Sequence, residues 1–372
     1  MDSSIFEIPI GKLGFGFMRM PTAEGLGIDL GLLKKMVDRY LDAGFSYFDT
    51  SYVYGGSEEA LHEALVKRHP RSSFRIATKM PLFIVESRKD MQSTFETSMN
   101  RLSIDYLDIY LLHGLTLEKC EKLERIGGWD FARELKASGR IKHYGFSFHD
   151  TPENLDEILK RHPDTELVQL QINYLDWESG NVQSRRLYET VRKHGKPFTI
   201  MGPVKGGLLS GVGSIAENEL RKINPEVSAA SWAVRFAASL EGLITMLSGM
   251  GTMEQLEDNI KTIQNLKPLT ESELVTIHKV VELINSIPRV QCTDCKYCIG
   301  NCPQQLNIPM LITLYNDYLS YRQKISVGYT YEWATESGRF PSICTACRSC
   351  EAHCPQHINI SDIMKEMAAV FE

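Results

Sequence analysis

Between residue 10 and about residue 265, short apolar runs rich in β-branched and aromatic residues alternate with longer stretches whose apolar positions recur at helical spacing. The short runs occupy 13–17, 45–49, 74–78, 107–112, 144–148, 168–172, 198–201 and 244–247. Residues 29–43, 57–68, 87–101, 118–125, 152–161 and 184–194 carry the helical pattern, most of them opened by a polar residue or proline and several followed by glycine. Read as strands with helices between them, the short runs make eight strand–helix units. That order predicts a closed (β/α)8 TIM barrel rather than an open doubly wound sheet. Gly14-Phe15-Gly16 lacks the third glycine of a dinucleotide fingerprint and no G-x-x-x-x-G-K-[ST] run occurs, which points the same way.

After Leu266-Lys267-Pro268 a further helical stretch spans 271–287, and from Pro288 the pattern changes. CTDCKYCIGNCPQQLNIPMLI and CTACRSCEAHCPQHINISDIM repeat one another at an offset of 52 residues. The 41 residues between Cys302 and Cys344 read as helix, and the aromatic run from Tyr315 to Trp333 as helix core. The predicted division is a barrel over 1–285 and a small all-α domain over 286–372.

Each repeat contains C-x2-C-x2-C-x3-C-P, the ligand run of a protein with two [4Fe–4S] clusters, in which the fourth cysteine of one run reaches the other cluster. Cluster 1 would take Cys292, Cys295, Cys298 and Cys354. Cluster 2 would take Cys344, Cys347, Cys350 and Cys302. Zinc is the alternative occupant, but its C-x2-C pairs usually stand as two separated pairs. Disulfides would be strained between thiols packed this closely. The ninth cysteine, Cys120, reads as a small buried side chain, and His353 and His357 as outer residues that iron does not need.

At 372 residues, with 43% hydrophobic and 24% charged residues, the chain can bury a large core beside a second domain. A net charge of −6 gives no reason to expect nucleic acid. No apolar run suits a membrane span, and residues 1–11 lack the plan of a secretory leader. The expected setting is therefore a reducing cytoplasm.

In such a barrel the C-terminal ends of the strands meet in one pocket. Asp49, Tyr54, Lys79 and His113 fall at or just beyond the ends of the second, third and fourth strands. A tyrosine that moves a proton near neutral pH needs a cation beside it. Lys79 can supply one, Asp49 can hold the lysine, and His113 can orient a carbonyl oxygen. Taken singly, each has a plainer reading as an ion pair, a loop tyrosine or a core histidine; the combination favours chemistry.

Gly44-Phe45-Ser46-Tyr47-Phe48-Asp49-Thr50, Tyr54-Gly55-Gly56-Ser57-Glu58, Ala77-Thr78-Lys79 and Leu111-Leu112-His113 together resemble the aldo-keto reductases, over about residues 11–265. The resemblance implies that Asp49, Tyr54, Lys79 and His113 form the family's catalytic tetrad. It implies reversible hydride transfer between NADP or NAD and a small carbonyl or alcohol substrate. It places Gly16, Phe17 and Met18 at the nicotinamide ribose, Ser147 and Gln171 at the carboxamide, and Gly202, Pro203, Val204, Lys205, Gly207 and Leu208 on the pyrophosphate loop. Gly249, Gln255 and Asn259 fall at the adenosine end. There are departures. Phe148 replaces an amide side chain, Met201 replaces an aromatic residue, and 249–259 carries no Lys or Arg for a 2′-phosphate. NAD, NADP and a flavin thus all stay open as the barrel's cofactor. Arg19, near the pocket mouth, suits an acidic substrate or a structural salt bridge.

Three functional readings follow. The first is a nicotinamide-dependent oxidoreductase coupled to the clusters. The second is an electron-transfer protein linked to a ferredoxin-like partner, with a flavin or unusual acceptor in the barrel. The third is a barrel without turnover that senses bound cofactor.

Overall fold

The computed structural model describes residues 10–23, 27–82, 84–180, 182–212, 214–286, 290, 292, 298–352 and 358–372. Eight parallel strands follow one another: β1 (Leu13–Gly16), β2 (Tyr47–Asp49), β3 (Arg75–Met80), β4 (Leu107–Leu115), β5 (Ile141–Phe148), β6 (Leu167–Gln171), β7 (Phe198–Met201) and β8 (Leu243–Ser248). They pair in chain order and β8 returns to β1, so the sheet is the expected closed TIM barrel.

Helix starts lie where the sequence offers a side-chain acceptor. Asp29 accepts from the N–H of Leu32, Ser87 from Asp90 and Thr151 from Asn154, with Pro152 as the first helical residue. Most expected boundaries shift by one to three residues, with β4 running on to Leu115 and β5 starting at Ile141, and two cases are instructive. β2 begins at Tyr47 rather than 45, and Phe45 ahead of it packs against Tyr40. The expected helix over 57–68 is α-helical only over Ser57–Leu61 and widens to a π turn over His62–Val66.

Period-two alternation sorts the strand residues into two layers. Phe15, Phe48, Phe146, Phe148 and Tyr110 belong to the large core between sheet and helices. Tyr47, Ala77, Ile109, Leu111 and Leu167 belong to a separate cluster filling the barrel's interior. The residues two positions further along these interior rows are Asp49, Lys79, His113 and Gln169, at the pocket end of the barrel. Closure is tight at one point: a Cβ on Gly145 of β5 would stand 2.1 Å from the carbonyl oxygen of Leu167 on β6.

By their contacts the residues form two units, 1–205 with 231–269, and 206–230 with 270–372. The sequence reading put the division at 285/286. The helix Ser214–Ile223 and the helix Glu271–Asn285 are grouped with the C-terminal residues, and Lys279 bonds Glu219 between them at 2.7 Å. Among its described residues this second unit is helical. Tyr315, Val327, Tyr331, Ile360 and Met364 share its core, whereas Trp333, expected there, is 66% exposed. Among the described residues, no helix is long and apolar enough to cross a membrane.

Candidate active site and metal centre

The buried ammonium of Lys79, 1% exposed, bonds Asp49 Oδ1 at 2.5 Å and the Thr50 carbonyl at 2.6 Å. Asp49 Oδ2 accepts from Gln169 Nε2 at 3.1 Å, so both carboxylate oxygens are occupied. Lys79 also hydrogen-bonds Tyr54 and lies 5.0 Å from the centre of its ring. The His113 ring stands edge-on to that of Tyr54 at 5.9 Å. All four residues expected at the strand ends therefore meet.

Their protonation follows from burial and charge. Burial raises the Tyr54 phenol, and Lys79 pulls it back only in part, so the hydroxyl keeps its proton through neutral pH. Lys79 stays charged because the cost of burial is outweighed by the attraction of Asp49 and the hydrogen bonds to Asp49 and Tyr54. Burial, with Lys79 nearby, pushes His113 down to about 3, which makes it a neutral imidazole. Ser51 Oγ lies 3.1 Å from His113 Nδ1 and accepts the Val53 N–H at 3.4 Å. Each group is satisfied if the serine donates to Nδ1 and the ring proton sits on Nε2.

Two supports escaped the sequence reading. Gln169 was legible as a polar residue on the same strand face as Gln171. The loop carrying Tyr54 is held by Arg101, which bonds the Tyr52 carbonyl at 3.1 Å and the buried Glu58 at 3.2 Å. Glu58 in turn accepts from Thr78 at 2.7 Å. No local sequence pattern announces that chain of contacts.

The expected cofactor positions are met unevenly. Ser147 is buried and accepts the Gly114 N–H at 2.8 Å, which leaves its hydroxyl proton to be donated. Gln171 lies at the end of β6, and a Cβ on the left-handed Gly202 would stand 3.7 Å from its Cγ. A Cβ on Gly16 would stand 3.4 Å from the Ser248 carbonyl, so a glycine keeps the β1 rim open. These donors, acceptors and glycines fit a nicotinamide carboxamide and ribose. Phe17, by contrast, turns its ring into the aromatic core with Phe15 and Phe48, and Met18 is mostly exposed. Phe148 also faces that core, 6.0 Å from Phe146, so its ring belongs to the helix-facing layer. Pro203 is buried and Val204 half-buried; Lys205 bonds the buried Asp176 at 2.7 Å. Gly207 and Leu208 are grouped with the second unit. At the β8 end, Gln255 accepts the Gly251 N–H at 2.8 Å and Asn259 donates to Ser248 at 2.9 Å. Arg19 is exposed at its end of the barrel.

In the second unit, Cys302, Cys344, Cys347 and Cys350 line a single pocket, with Leu306, Ile308 and Met364 also in its wall. Ala346 and Arg348, flanking Cys347, adopt left-handed backbone (φ 52° and 58°), which curls the run so that its thiols converge. Burial and the neighbouring Glu351, Cys302 and Cys344 push Cys350 up to about 11, so this thiol needs a cation beside it to ionise near neutral pH. Four convergent thiols are a donor set that an iron–sulfur cubane takes, as a tetrahedral zinc can. Of the other proposed ligands, Cys292 and Cys298 pack with this unit's core. Cys295, Cys354, His353 and His357 lie outside the described residues.

Residues 12–282 match the aldo/keto reductase family and residues 291–359 match a 4Fe-4S dicluster domain. The oxidoreductase YqkF of Bacillus subtilis is 24% identical over 302 residues, which cover 72% of this chain and 92% of that protein. An NAD/NADP-dependent indole-3-acetaldehyde reductase of Schizosaccharomyces pombe is 28% identical over 56% of this chain and 66% of its own length. The holo form of an aldo-keto reductase from Bacillus halodurans superposes with a TM-score of 0.56 at 26% identity, covering 73% of this chain and 92% of that one. A Klebsiella pneumoniae aldo-keto reductase in complex with NADPH does so at 0.58 and 21%, covering 76% and 93%, and shares the fold.

Proposed function

We propose that this chain, which belongs to the aldo/keto reductase family, moves a hydride between NAD or NADP and a small carbonyl compound or its alcohol. The chain is an oxidoreductase of the aldo-keto reductase type with a 4Fe-4S dicluster domain. The observation that carries the finer reading is the buried Asp49–Lys79 pair set against a protonated Tyr54. When bound, the nicotinamide supplies or takes up the hydride. In the reducing direction Tyr54 gives its proton to the carbonyl oxygen, Lys79 stabilises the phenolate left behind, and Asp49 keeps Lys79 charged and in place. The neutral His113, with its proton on Nε2, hydrogen-bonds the same oxygen and aims it at Tyr54. Ser147, Gln171 and the Gly202 turn would hold the nicotinamide end. In the second unit Cys302, Cys344, Cys347 and Cys350 would hold one cluster, and Cys292, Cys295, Cys298 and Cys354 the other, passing single electrons to or from a redox protein.

The test is Tyr54→Phe. Carbonyl reduction should fall by about 10²-fold or more, the scale of a lost general acid, while dinucleotide affinity stays within about twofold. Retained activity would remove Tyr54 from the chemistry. Anaerobic addition of NADH or NADPH addresses the clusters: bleaching of the iron–sulfur absorbance supports coupling to the barrel, and bleaching that needs added flavin favours the electron-transfer reading.

A further inference from the structure

Asp176 is a carboxylate that nothing in the proposed chemistry uses, yet it is 3% exposed and binds three side chains. Its Oδ2 accepts from Gln171 Nε2 at 3.0 Å and from Asn173 Nδ2 at 2.8 Å, and its Oδ1 accepts from Lys205 Nζ at 2.7 Å. Its own N–H donates to Asn173 Oδ1 at 2.9 Å, and Asn173 also reaches the Gly202 carbonyl at 3.2 Å. One buried group thus links the end of β6 to the turn after β7.

We infer that Asp176 is a positioning residue that fixes which end of the Gln171 amide faces the cofactor, and so makes the site require an N–H donor on the pyridine ring's side chain. The inference rests on the nicotinamide reading above. An ionised carboxylate only accepts hydrogen bonds. Gln171 must therefore turn its NH2 toward Asp176, and the choice between its two flipped forms is made by chemistry. Its Oε1 is left as an acceptor with no partner among the described residues. Ser147 is the complement, since its hydroxyl accepts the Gly114 N–H and retains a proton to donate. A carboxamide offers both a carbonyl, which suits Ser147, and an NH2, which suits Gln171 Oε1. With Phe148 turned into the core, the residue beside Ser147 supplies no amide to share this recognition. Lys205 neutralises the buried carboxylate and ties the order at Gln171 to the turn after β7, where the backbone is left-handed at Gly202 and at Lys205 itself (φ 46°).

The probe is the 3-acetylpyridine analogue of the dinucleotide, in which a methyl group replaces the carboxamide NH2. Binding is followed by equilibrium dialysis of the cluster-loaded protein, without turnover. The wild-type protein should bind the natural dinucleotide at least about tenfold more tightly than the analogue, because the analogue leaves the Gln171 acceptor unpaired. In Asp176→Asn the amide at 176 can donate as well as accept, Gln171 is free to turn over, and the ratio should fall to within about twofold of unity. Should that variant not fold around an unpaired Lys205, the double variant D176N/K205Q removes the stranded charge and should show the same collapse. A wild-type ratio near one, or a tenfold ratio that persists in the Asp176 variants, overturns the assignment. If the wild-type protein binds neither dinucleotide, the nicotinamide reading itself fails, and the inference with it.

Discussion

Asp49→Asn removes a charge but little volume, which isolates the electrostatic part of the site. In the folded chain Lys79 is almost wholly buried, and Asp49 at 2.5 Å is the carboxylate paired with it, beside the Thr50 carbonyl at 2.6 Å and the neutral Tyr54. Replacing the carboxylate by an amide leaves a buried ammonium with no counter-charge. Loss of one partner from such a pair costs about 3–5 kcal/mol. At a urea m-value of about 3 kcal/mol/M, the midpoint should drop by about 1–1.7 M. Trp129, Trp177 and Trp232 belong to the barrel unit, so tryptophan emission in anaerobic urea titrations reports chiefly on it. Lys79→Met should also destabilise, since it strands Asp49. The double variant should lose less than the sum of the two singles by about 1–3 kcal/mol, because neither charge is then left alone. A loss below about 1 kcal/mol in D49N, or strict additivity in the double variant, would refute the claim that the pair is held charged in a dry pocket.

Other expectations are narrower. Cys347→Ser should lower iron from about eight to about four atoms per chain if two four-iron clusters are present, and unchanged iron would discard the ligand assignment. Gly145→Ala would push a Cβ to 2.1 Å from the Leu167 carbonyl oxygen, so β5 and β6 must part. A loss of at least about 2 kcal/mol, read from thermal melts, is expected, whereas an unchanged midpoint would mean the barrel closes differently. His113 sits at about 3 when folded and at about 6.5 when unfolded, so its contribution is fully present above pH 6.5 and is lost as pH falls toward 3. The slope from this group is at most about 1.4 kcal/mol per pH unit, and His113→Gln should flatten the decline in melting temperature between pH 6.5 and 5.

The barrel was legible because eight short apolar runs alternate with helical patterns, and the period of two within any strand then places Asp49, Lys79 and His113 on the interior rows. Tyr54 lies beyond its strand, and its place just after the second strand and the resemblance carried by Tyr54-Gly55-Gly56-Ser57-Glu58 identified it. Asp176 left no trace of this kind: it lies in the turn after β6, and its importance comes from Lys205, 29 residues away. Phe148 shows the reverse case. It stood out in sequence as a departure, and the structure resolves it as a core residue at the outward-facing position of β5. Packing between distant segments was equally hidden. Nothing near residues 214–223 marks that helix as grouped with the one at 271–285, because the contact pairs stretches about fifty residues apart, with the helix Ala229–Ala238, β8 and the helix Met253–Gln264 between them. The aromatic run was read from its period, which put Tyr315 and Tyr331 in the core correctly but could not see that Trp333 falls on the outer face.

The two units differ in the electrons they can handle. A hydride carries two at once, and the proposed tetrad is built for the proton that accompanies it: a charged lysine, a protonated phenol and a neutral imidazole together leave nothing in need of a one-electron carrier. A [4Fe–4S] centre takes one electron at a time. Among the described cysteines of the second pocket, Cys350 is buried, Cys302 and Cys344 are half-buried, and Cys347 is exposed beside Arg348. A cluster held there would have a shielded side and one ligand, Cys347, open to solvent. Electron transfer needs only proximity at that edge, whereas hydride transfer needs contact between two ring-sized reactants. On the proposed reading, that exposed ligand would be the edge at which a second redox protein exchanges electrons with the cluster. Any exchange with the barrel must pass through a species stable as a radical, and the carbonyl chemistry assigned to Tyr54 does not generate one. This is why cluster bleaching by nicotinamide alone, and bleaching that requires flavin, separate the two readings: the first would demand a one-electron route that the tetrad lacks, and the second would supply it.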